Sequence, residues 1–144
     1  MDDKLKFLIP IILFLLVSIM FFGSCGSRYN NVSLEISQAN YNKVYETVKP
    51  GTFKMSYEHF EGSKNISFNV KKGDKIKFDY DSIVKDGGLS ITINDPYGAV
   101  VSNLPVNKKG TLKIRASGSG KISIIVVAKN TSGSFKVFWK RVFF

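Results

Sequence analysis

The chain contains one cysteine and one histidine among its 144 residues. A single cysteine excludes an internal disulfide, and a single histidine excludes metal sites that need two. Acidic residues are also scarce, because 11 Asp and Glu stand against 21 Lys and Arg, giving a formal net charge of +10. Beyond the first residues, no stretch of useful length has helical spacing of its apolar residues. We therefore expect a basic domain without a metal, a cofactor or an enzymatic activity.

Length and composition favour one folded domain. A chain of 144 residues corresponds to a single domain. Because 44% of the residues are hydrophobic and 13% are aromatic, the chain has enough apolar surface to collapse in water, which excludes a disordered protein.

The N-terminal segment has the pattern of an export signal. A short charged stretch precedes an apolar run from Phe7 to Phe22, which would form a helix of roughly 24 Å, short for a bilayer span. Gly23, Ser24 and Cys25 follow directly. Phe22-Gly23-Ser24-Cys25 resembles the lipobox of bacterial lipoproteins, although that family usually has Leu where Phe22 stands.

The lipobox resemblance implies cleavage before Cys25 and attachment of a diacylglyceryl group to its thiol. Small residues at Gly23 and Ser24 fit the active site of a signal peptidase. Two or three acyl chains are enough for stable anchoring, so we expect the protein on the outer face of the cell membrane. The alternative is an uncleaved, single-span anchor with an incidental cysteine. The predicted division is a signal peptide at 1–24, a lipidated tether at 25–44 with a short strand at 32–37, and a folded domain at 45–144.

The folded domain shows the two-residue alternation of β-strands. Phe53, Met55 and Tyr57 alternate with Lys54 and Ser56, and the same pattern recurs along the chain. The predicted strands lie at 53–59, 66–70, 76–80, 89–93, 100–101, 112–116, 122–128 and 135–139, with a loop at 81–88. About eight short strands predict an all-β, antiparallel β-sandwich with Greek-key or jelly-roll connections. Trp139 is expected in its core, and the doubly apolar run 122–127 predicts a central strand.

The order of turn glycines and alternating strands resembles the GOLD (Golgi dynamics) β-sandwich between about Lys49 and Lys140. The matching segments include 51–55, 65–74, 89–98, 110–114, 118–126 and 130–132. The bacterial pre-peptidase C-terminal β-sandwich would give a similar pattern and stays open as an alternative. Eukaryotic GOLD proteins carry a disulfide, a coiled coil and a C-terminal membrane span, which this chain lacks. The resemblance therefore implies a non-catalytic interaction domain, with no catalytic residue to carry over.

Two groups of residues are candidates for catalysis or for metal binding. His59 lies beside Glu58 and Glu61, and an enzyme centred on it is the least favoured hypothesis, because no partner nucleophile is evident. Asp74, Asp79, Asp81 and Asp86 could supply oxygen ligands to calcium, yet they lack the spacing of an EF-hand, and neighbouring lysines favour simple ion pairs. Whether calcium binds near Asp79 and Asp81 stays open.

Basic residues concentrate at the predicted turns and on polar strand faces. A positive field there would attract lipid head groups or anionic envelope polymers. If 66–70 and 76–80 form a hairpin, the first of these lysines lie on neighbouring strands. Nucleic acid is not expected as a partner of an exported protein without a stacking platform. The sequence predicts a non-catalytic module that binds a protein partner or an anionic envelope component, and the alternative is a structural spacer or assembly subunit of the envelope. The predicted anion-binding residues are Lys71, Lys72, Lys75, Lys77, Lys108 and Lys109.

Overall fold

Six β-strands and no helix make up the part of the chain that the structure, a computed structural model, describes, namely residues 32–143. Within that part, no helix is long and apolar enough to cross a membrane. The strands are β1 Val32–Lys49, β2 Thr52–Val70, β3 Lys75–Asn94, β4 Val100–Leu104, β5 Lys109–Arg115 and β6 Gly120–Val142. The predicted signal peptide at 1–24, the predicted lipidation site Cys25 and the last residue Phe144 lie outside the described residues.

All strand pairs are antiparallel, and the order across the sheet is β1-β2-β6-β3-β4, with β5 also paired to β3. The four long strands bend midway, so each contributes to both layers of a sandwich. The first layer contains residues 45–49, 52–57, 133–142 and 75–84 together with β5. The second layer contains residues 32–37, 63–70, 120–128 and 88–94 together with β4. The predicted all-β, antiparallel fold is confirmed.

The prediction of about eight short strands is wrong in number, because the bends do not end the strands. Register shifts mark the bends at 57–62 in β2 and 84–88 in β3, yet pairing resumes on the far side of each. The segments predicted at 53–59 and 66–70 are therefore halves of β2. The predicted loop at 81–88 likewise lies inside β3.

Two glycines make the bends possible. Gly87 has φ +63°, and a Cβ there would lie 2.2 Å from the carbonyl oxygen of Asn130. Gly133 has φ +153°, and its Cβ would lie 1.9 Å from the carbonyl oxygen of Ile83. Such approaches exclude any side chain, so glycine at both positions lets β3 and β6 bend together.

The core lies between the two layers. Phe68 of the second layer stacks on Trp139 of the first, with ring centroids 5.1 Å apart, and its ring is also 6.2 Å from that of Phe78. Trp139 is buried, as the sequence predicts. The run 122–127 lies in β6, between β2 and β3, which confirms the central position. Its alternate residues Ile122, Ile124 and Val126 enter the core, whereas Val127 is exposed on the outside.

The first strand begins earlier than the predicted domain boundary. β1 starts at Val32, which pairs with Phe68, so residues 32–44 of the predicted tether belong to the sheet. The short strand expected at 32–37 is its first portion. Backbone pairing with β2 holds these residues, and the register shifts between Ser37 and Tyr45 let β1 cross from one layer to the other.

Candidate anion-binding surface

The outer surface of the first layer is strongly basic. In β3, Ile76 and Phe78 are buried in the core, so Lys77 and Asp79, which alternate with them, lie on the outer surface. The same alternation holds in β2, β5 and β6. We call this surface the basic face. Its basic residues are Lys54, Lys75, Lys77, Lys109, Lys113, Arg115, Lys136 and Lys140, and its acidic residues are Asp79 and Asp81.

Like charges stand directly opposite one another on the basic face. Lys140 of β6 is in register with Lys77 of β3, and Lys77 is in register with Lys113 of β5. Opposed side chains on antiparallel strands lie about 5 Å apart at Cβ, where like charges destabilise the sheet. Asp79 compensates part of this charge, because its Oδ2 lies 3.0 Å from Nζ of Lys77.

An exposed aromatic ring lies within the basic face. Phe138 of β6 keeps 43% of its surface exposed and is in register with Asp79. A groove of about 370 Å³ runs beside it and is also lined by Lys109 and Lys136. On the other side of Lys136, a groove of about 360 Å³ extends to Tyr45. Asp79 and Asp81 also line the first groove, so cations, carboxylates and an aromatic ring border it together.

Asp79 is the best-held side chain of this face. Its Oδ1 accepts a hydrogen bond of 2.6 Å from the hydroxyl of Thr111 on β5. That hydrogen bond and the ammonium of Lys77 hold the pKa of Asp79 below its ordinary value. These contacts favour the charged form of the carboxylate, which lies between Lys77 and Thr111 in the middle of the face.

The outer surface of the second layer contrasts with the basic face. Its central strand presents Ser123, Ile125 and Val127 between uncharged polar side chains of the neighbouring strands. The Oγ atoms of Ser33 and Ser67 are 2.6 Å apart. Thr92 donates a hydrogen bond of 3.2 Å to Asn103 on the neighbouring strand. In the described part of the chain, the outer surface of the second layer carries basic residues only near the ends of its segment of β6, at Lys121 and Lys129, so it is less basic than the basic face.

The predicted anion-binding lysines divide between two places. Lys75, Lys77 and Lys109 belong to the basic face. Lys71 and Lys72 lie in the turn after β2, and Lys108 lies in the turn before β5. The expected hairpin is wrong, because β6 lies between β2 and β3 and the turn at 71–74 passes from the second layer to the first. The residues that complete the face, Lys54, Lys113, Arg115, Lys136 and Lys140, are missing from the predicted set.

The other candidate residues are scattered. His59 lies exposed in the bend of β2 with φ 51°, and its backbone N–H donates a bond of 3.3 Å to Oγ of Ser132. Asp74 and Asp86 lie at opposite ends of the sandwich, so the four aspartates considered for calcium do not converge. Among residues 32–143, no three His, Cys, Asp or Glu side chains come together as a metal site.

One buried cation was missed by the sequence analysis. Lys64 is 0% exposed, and its Nζ lies 2.6 Å from Oε1 of Glu46 and 4.9 Å from the ring centroid of Tyr41. Lys64 belongs to the second layer and Glu46 to the first, so this ion pair connects the layers beside β1. The sequence does contain a sign of this burial. Lys64 stands two residues before Ile66 and four before Phe68, so in a strand its side chain points inward with theirs.

Comparisons with known proteins concern the fold. No protein-family model matches the chain, and no curated protein matches it. The pre-peptidase C-terminal domain of a collagenase from Bacillus anthracis is similar in structure, with 16% identity, a TM-score of 0.45, and coverage of 62% of this chain and 87% of that one. This neighbour is a domain of the kind that the sequence pattern left open as the alternative to GOLD. Membership of the GOLD family stays a prediction.

Carbohydrate-binding modules are also similar in structure. A family 11 module of a cellulosomal cellulase from Clostridium thermocellum has 17% identity and a TM-score of 0.44, covering 84% of this chain and 90% of that one. TmCBM61, solved in complex with β-1,4-galactotriose, has 12% identity and a TM-score of 0.45, covering 80% of this chain and 91% of that one. At such identities these proteins indicate no ligand for this chain.

Proposed function

We propose that the protein is a non-catalytic binding module, anchored through Cys25 to the outer face of the cell membrane, that binds an anionic polymer of the cell envelope through its basic face. The observation that carries the binding proposal is the row of Lys140, Lys77 and Lys113 on three adjacent strands. Three cations in register on adjacent strands give a concentrated positive field, of which Asp79 offsets a part. A repeating anion that crosses the strands would meet all three cations.

The open grooves of the basic face favour a polymer over a small anion. The grooves beside Phe138 and Lys136 have volumes of about 370 and 360 Å³, and both are open to solvent. A single small anion would contact few of these cations at once. A polymer with regularly spaced charges would contact several strands together, and its binding would weaken as salt screens those charges.

Binding to defined polyanions tests this proposal. We expect the detergent-solubilised full chain to bind polygalacturonate or long-chain polyphosphate, with affinity falling as salt rises. A variant with Lys77→Gln, Lys136→Gln and Lys140→Gln should lose at least tenfold in affinity, since each lysine near an anionic surface contributes about 1 kcal/mol. The control with Lys85→Gln, Lys121→Gln and Lys129→Gln changes the net charge equally but leaves the basic face intact.

The outcomes separate the two main hypotheses. Equal losses in both triple variants would mean that net charge alone governs binding, which contradicts the proposed face. No binding of either polyanion by a folded chain would favour the spacer or assembly subunit.

The lipid anchor needs its own test. Growth with radiolabelled palmitate should label the wild-type protein and not a Cys25→Ser variant. An unlabelled wild-type protein that still sediments with membranes would instead support the uncleaved, single-span anchor.

A further inference from the structure

One end of the sandwich carries the start of β1 and a set of turns. Val32 pairs with Phe68, and Val70 pairs with Gly120, so these strand ends lie together. We call this region the tether end, because the chain enters β1 here from the segment that contains Cys25. It is made of residues 69–74, 95–98, 115–121 and 141–143.

Hydrogen bonds between the turns make the tether end one surface. The N–H of Gly73 donates to the carbonyl oxygen of Ala116 at 2.9 Å, and the N–H of Lys72 donates to Oγ of Ser119 at 3.0 Å. Oγ of Ser117 donates to Oδ2 of Asp95 at 3.0 Å, which adds the turn after β3. The turns therefore hold their side chains in fixed positions relative to one another.

The two carboxylates of the tether end, Asp74 and Asp95, are engaged by contacts within the turns. Asp74 accepts a hydrogen bond of 2.7 Å from the N–H of Lys71 and forms an ion pair of 2.7 Å with Arg141. Asp95 accepts from the N–H groups of Tyr97 and Ala99, both at 2.9 Å. Both carboxylates are thus occupied within the turns, and the ammonium groups of Lys71, Lys72 and Lys121 remain exposed around them.

Two exposed aromatic side chains accompany these lysines. Tyr97 is 76% exposed and lies over Gly118, where a Cβ would come within 2.5 Å of its hydroxyl oxygen. Phe143 follows the end of β6, is 91% exposed, and borders the same depression as Gly73 and Asp74. Aromatic rings beside lysines are the composition that favours the interface of an anionic bilayer, where the ring enters the headgroup region and the ammonium meets phosphate.

The distance to the membrane attachment limits which surface meets the bilayer. Only residues 26–31 separate Cys25 from Val32, and six residues span at most about 20 Å. In the first layer, β3 runs from residue 75 at the tether end to residue 83 near the opposite end, a length of about 26 Å at roughly 3.3 Å per residue. The opposite end therefore lies farther from the point where the chain is attached to the membrane. The limit of about 20 Å applies to a lipidated Cys25; an uncleaved leader, whose apolar run ends at Phe22, would leave nine residues, or about 30 Å, before Val32.

We propose that the tether end docks on anionic lipid, with Lys71, Lys72 and Lys121 on the headgroup phosphates and with Tyr97 and Phe143 inserted at the interface. The inference rests on the part of the proposed function that places the N-terminal segment in the membrane. It gives the sandwich one orientation, in which the basic face stands upright beside the bilayer and stays open to a polymer.

Quenching by brominated lipids tests the docking in the full chain reconstituted into vesicles. Tyr97→Trp and Phe143→Trp should be quenched in vesicles of phosphatidylcholine with phosphatidylglycerol. Tyr45→Trp is the matched control, because Tyr45 is equally exposed but lies on the first layer toward the opposite end, and it should not be quenched. The native Trp139 is buried and gives the same unquenched background in every variant.

The charge dependence is tested in two ways. Vesicles of phosphatidylcholine alone should abolish the quenching at positions 97 and 143 without any change in the protein. Combining Lys71→Gln, Lys72→Gln and Lys121→Gln should abolish it in anionic vesicles, whereas Lys85→Gln with Lys108→Gln and Lys129→Gln should not.

Three results would overturn the docking: no quenching at positions 97 and 143 in vesicle-bound protein, equal quenching at position 45, or quenching that persists without anionic lipid. A chain that does not stay with the vesicles at all would overturn the anchoring proposal and the docking together. Loss of polyanion binding alone would leave the docking intact, so the two proposals fail separately.

Discussion

Nζ of Lys64 lies 2.6 Å from Oε1 of Glu46, and this contact joins the two layers of the sandwich where β1 crosses between them. The ammonium is fully buried, and the Tyr41 ring covers it at 4.9 Å. A buried charge has lost its hydration, so its partner has a larger effect than an exposed partner would have. This buried ion pair therefore adds to the backbone pairing that fastens the edge strand β1 to the rest of the sandwich.

Removing one partner of this pair should destabilise the fold strongly. We expect Glu46→Gln to lower the free energy of unfolding by about 3 kcal/mol, because the buried ammonium keeps its desolvation penalty and loses its counter-charge. The double variant Glu46→Gln with Lys64→Met should recover much of this loss, since it removes the buried charge itself. Urea unfolding of each variant measures both effects.

The exposed ion pair between Lys43 and Glu58 is the control. Its side chains are 3.3 Å apart but largely in solvent, so Glu58→Gln should change stability by no more than about 0.5 kcal/mol. If Glu46→Gln proved as mild as this control, the ion pair would not fasten β1.

The buried phenol of Tyr57 gives a pH-dependent prediction. Burial raises the pKa of Tyr57 from 10.0 to about 12, and the neighbouring Thr131 hydroxyl opposes part of that rise. The unfolded chain therefore loses this proton at lower pH than the folded protein. The resulting stability is fully present below pH 10 and is lost between about pH 10 and pH 12, by at most about 2.7 kcal/mol.

A comparison with Tyr57→Phe isolates this contribution. The free energy of unfolding of the wild type should fall relative to that of the variant only above pH 10, because only the wild type has the buried phenol. Urea unfolding at a series of pH values measures that difference. A difference that stays constant from pH 8 to pH 12 would contradict the assignment.

The bend of β6 predicts a large effect at a single glycine. Gly133→Ala should lower stability by about 3 kcal/mol or more, because its Cβ would lie 1.9 Å from the carbonyl oxygen of Ile83 and must displace the backbone of β3. Gly98 is the matched control, with φ +84° but nothing within 4 Å of a Cβ. Gly98→Ala should cost only about 1 kcal/mol from its backbone conformation. Thermal unfolding of the two variants distinguishes a clash from a purely conformational cost.

Local alternation predicted most of the core and the polarity of the strand faces. The alternation predicts Phe53, Met55 and Tyr57 on one side of their strand, with Lys54 and Ser56 on the other, and the structure has this arrangement in β2. Such patterns depend on neighbouring residues along one strand, so one sequence is enough to find them.

Pairing between distant strands could not be predicted in the same way. The row of Lys77, Lys113 and Lys140 exists because β3 pairs with both β5 and β6, and residues 77 and 140 are far apart in sequence. Alternation gives the side on which each lysine lies but leaves its neighbour on the next strand undetermined. The same limit explains the wrong hairpin, because a short turn between two strands fits a passage between layers as well as a hairpin.

Removing one of the opposed lysines of the basic face should weaken polyanion binding without lowering stability. Lys140→Gln removes one charge opposite Lys77, so it should leave the free energy of unfolding unchanged or raise it by a few tenths of a kcal/mol, up to about 1 kcal/mol. The same substitution should weaken binding to polygalacturonate or polyphosphate. Lys129→Gln, outside the basic face, should change neither quantity.

Urea unfolding at low and high salt tests the cause of a gain in stability, because a gain that comes from relieved repulsion must shrink as salt screens the charges. A clear loss of stability in Lys140→Gln would mean that the lysine is held by favourable contacts, and the row would then no longer indicate a surface kept for an anionic ligand.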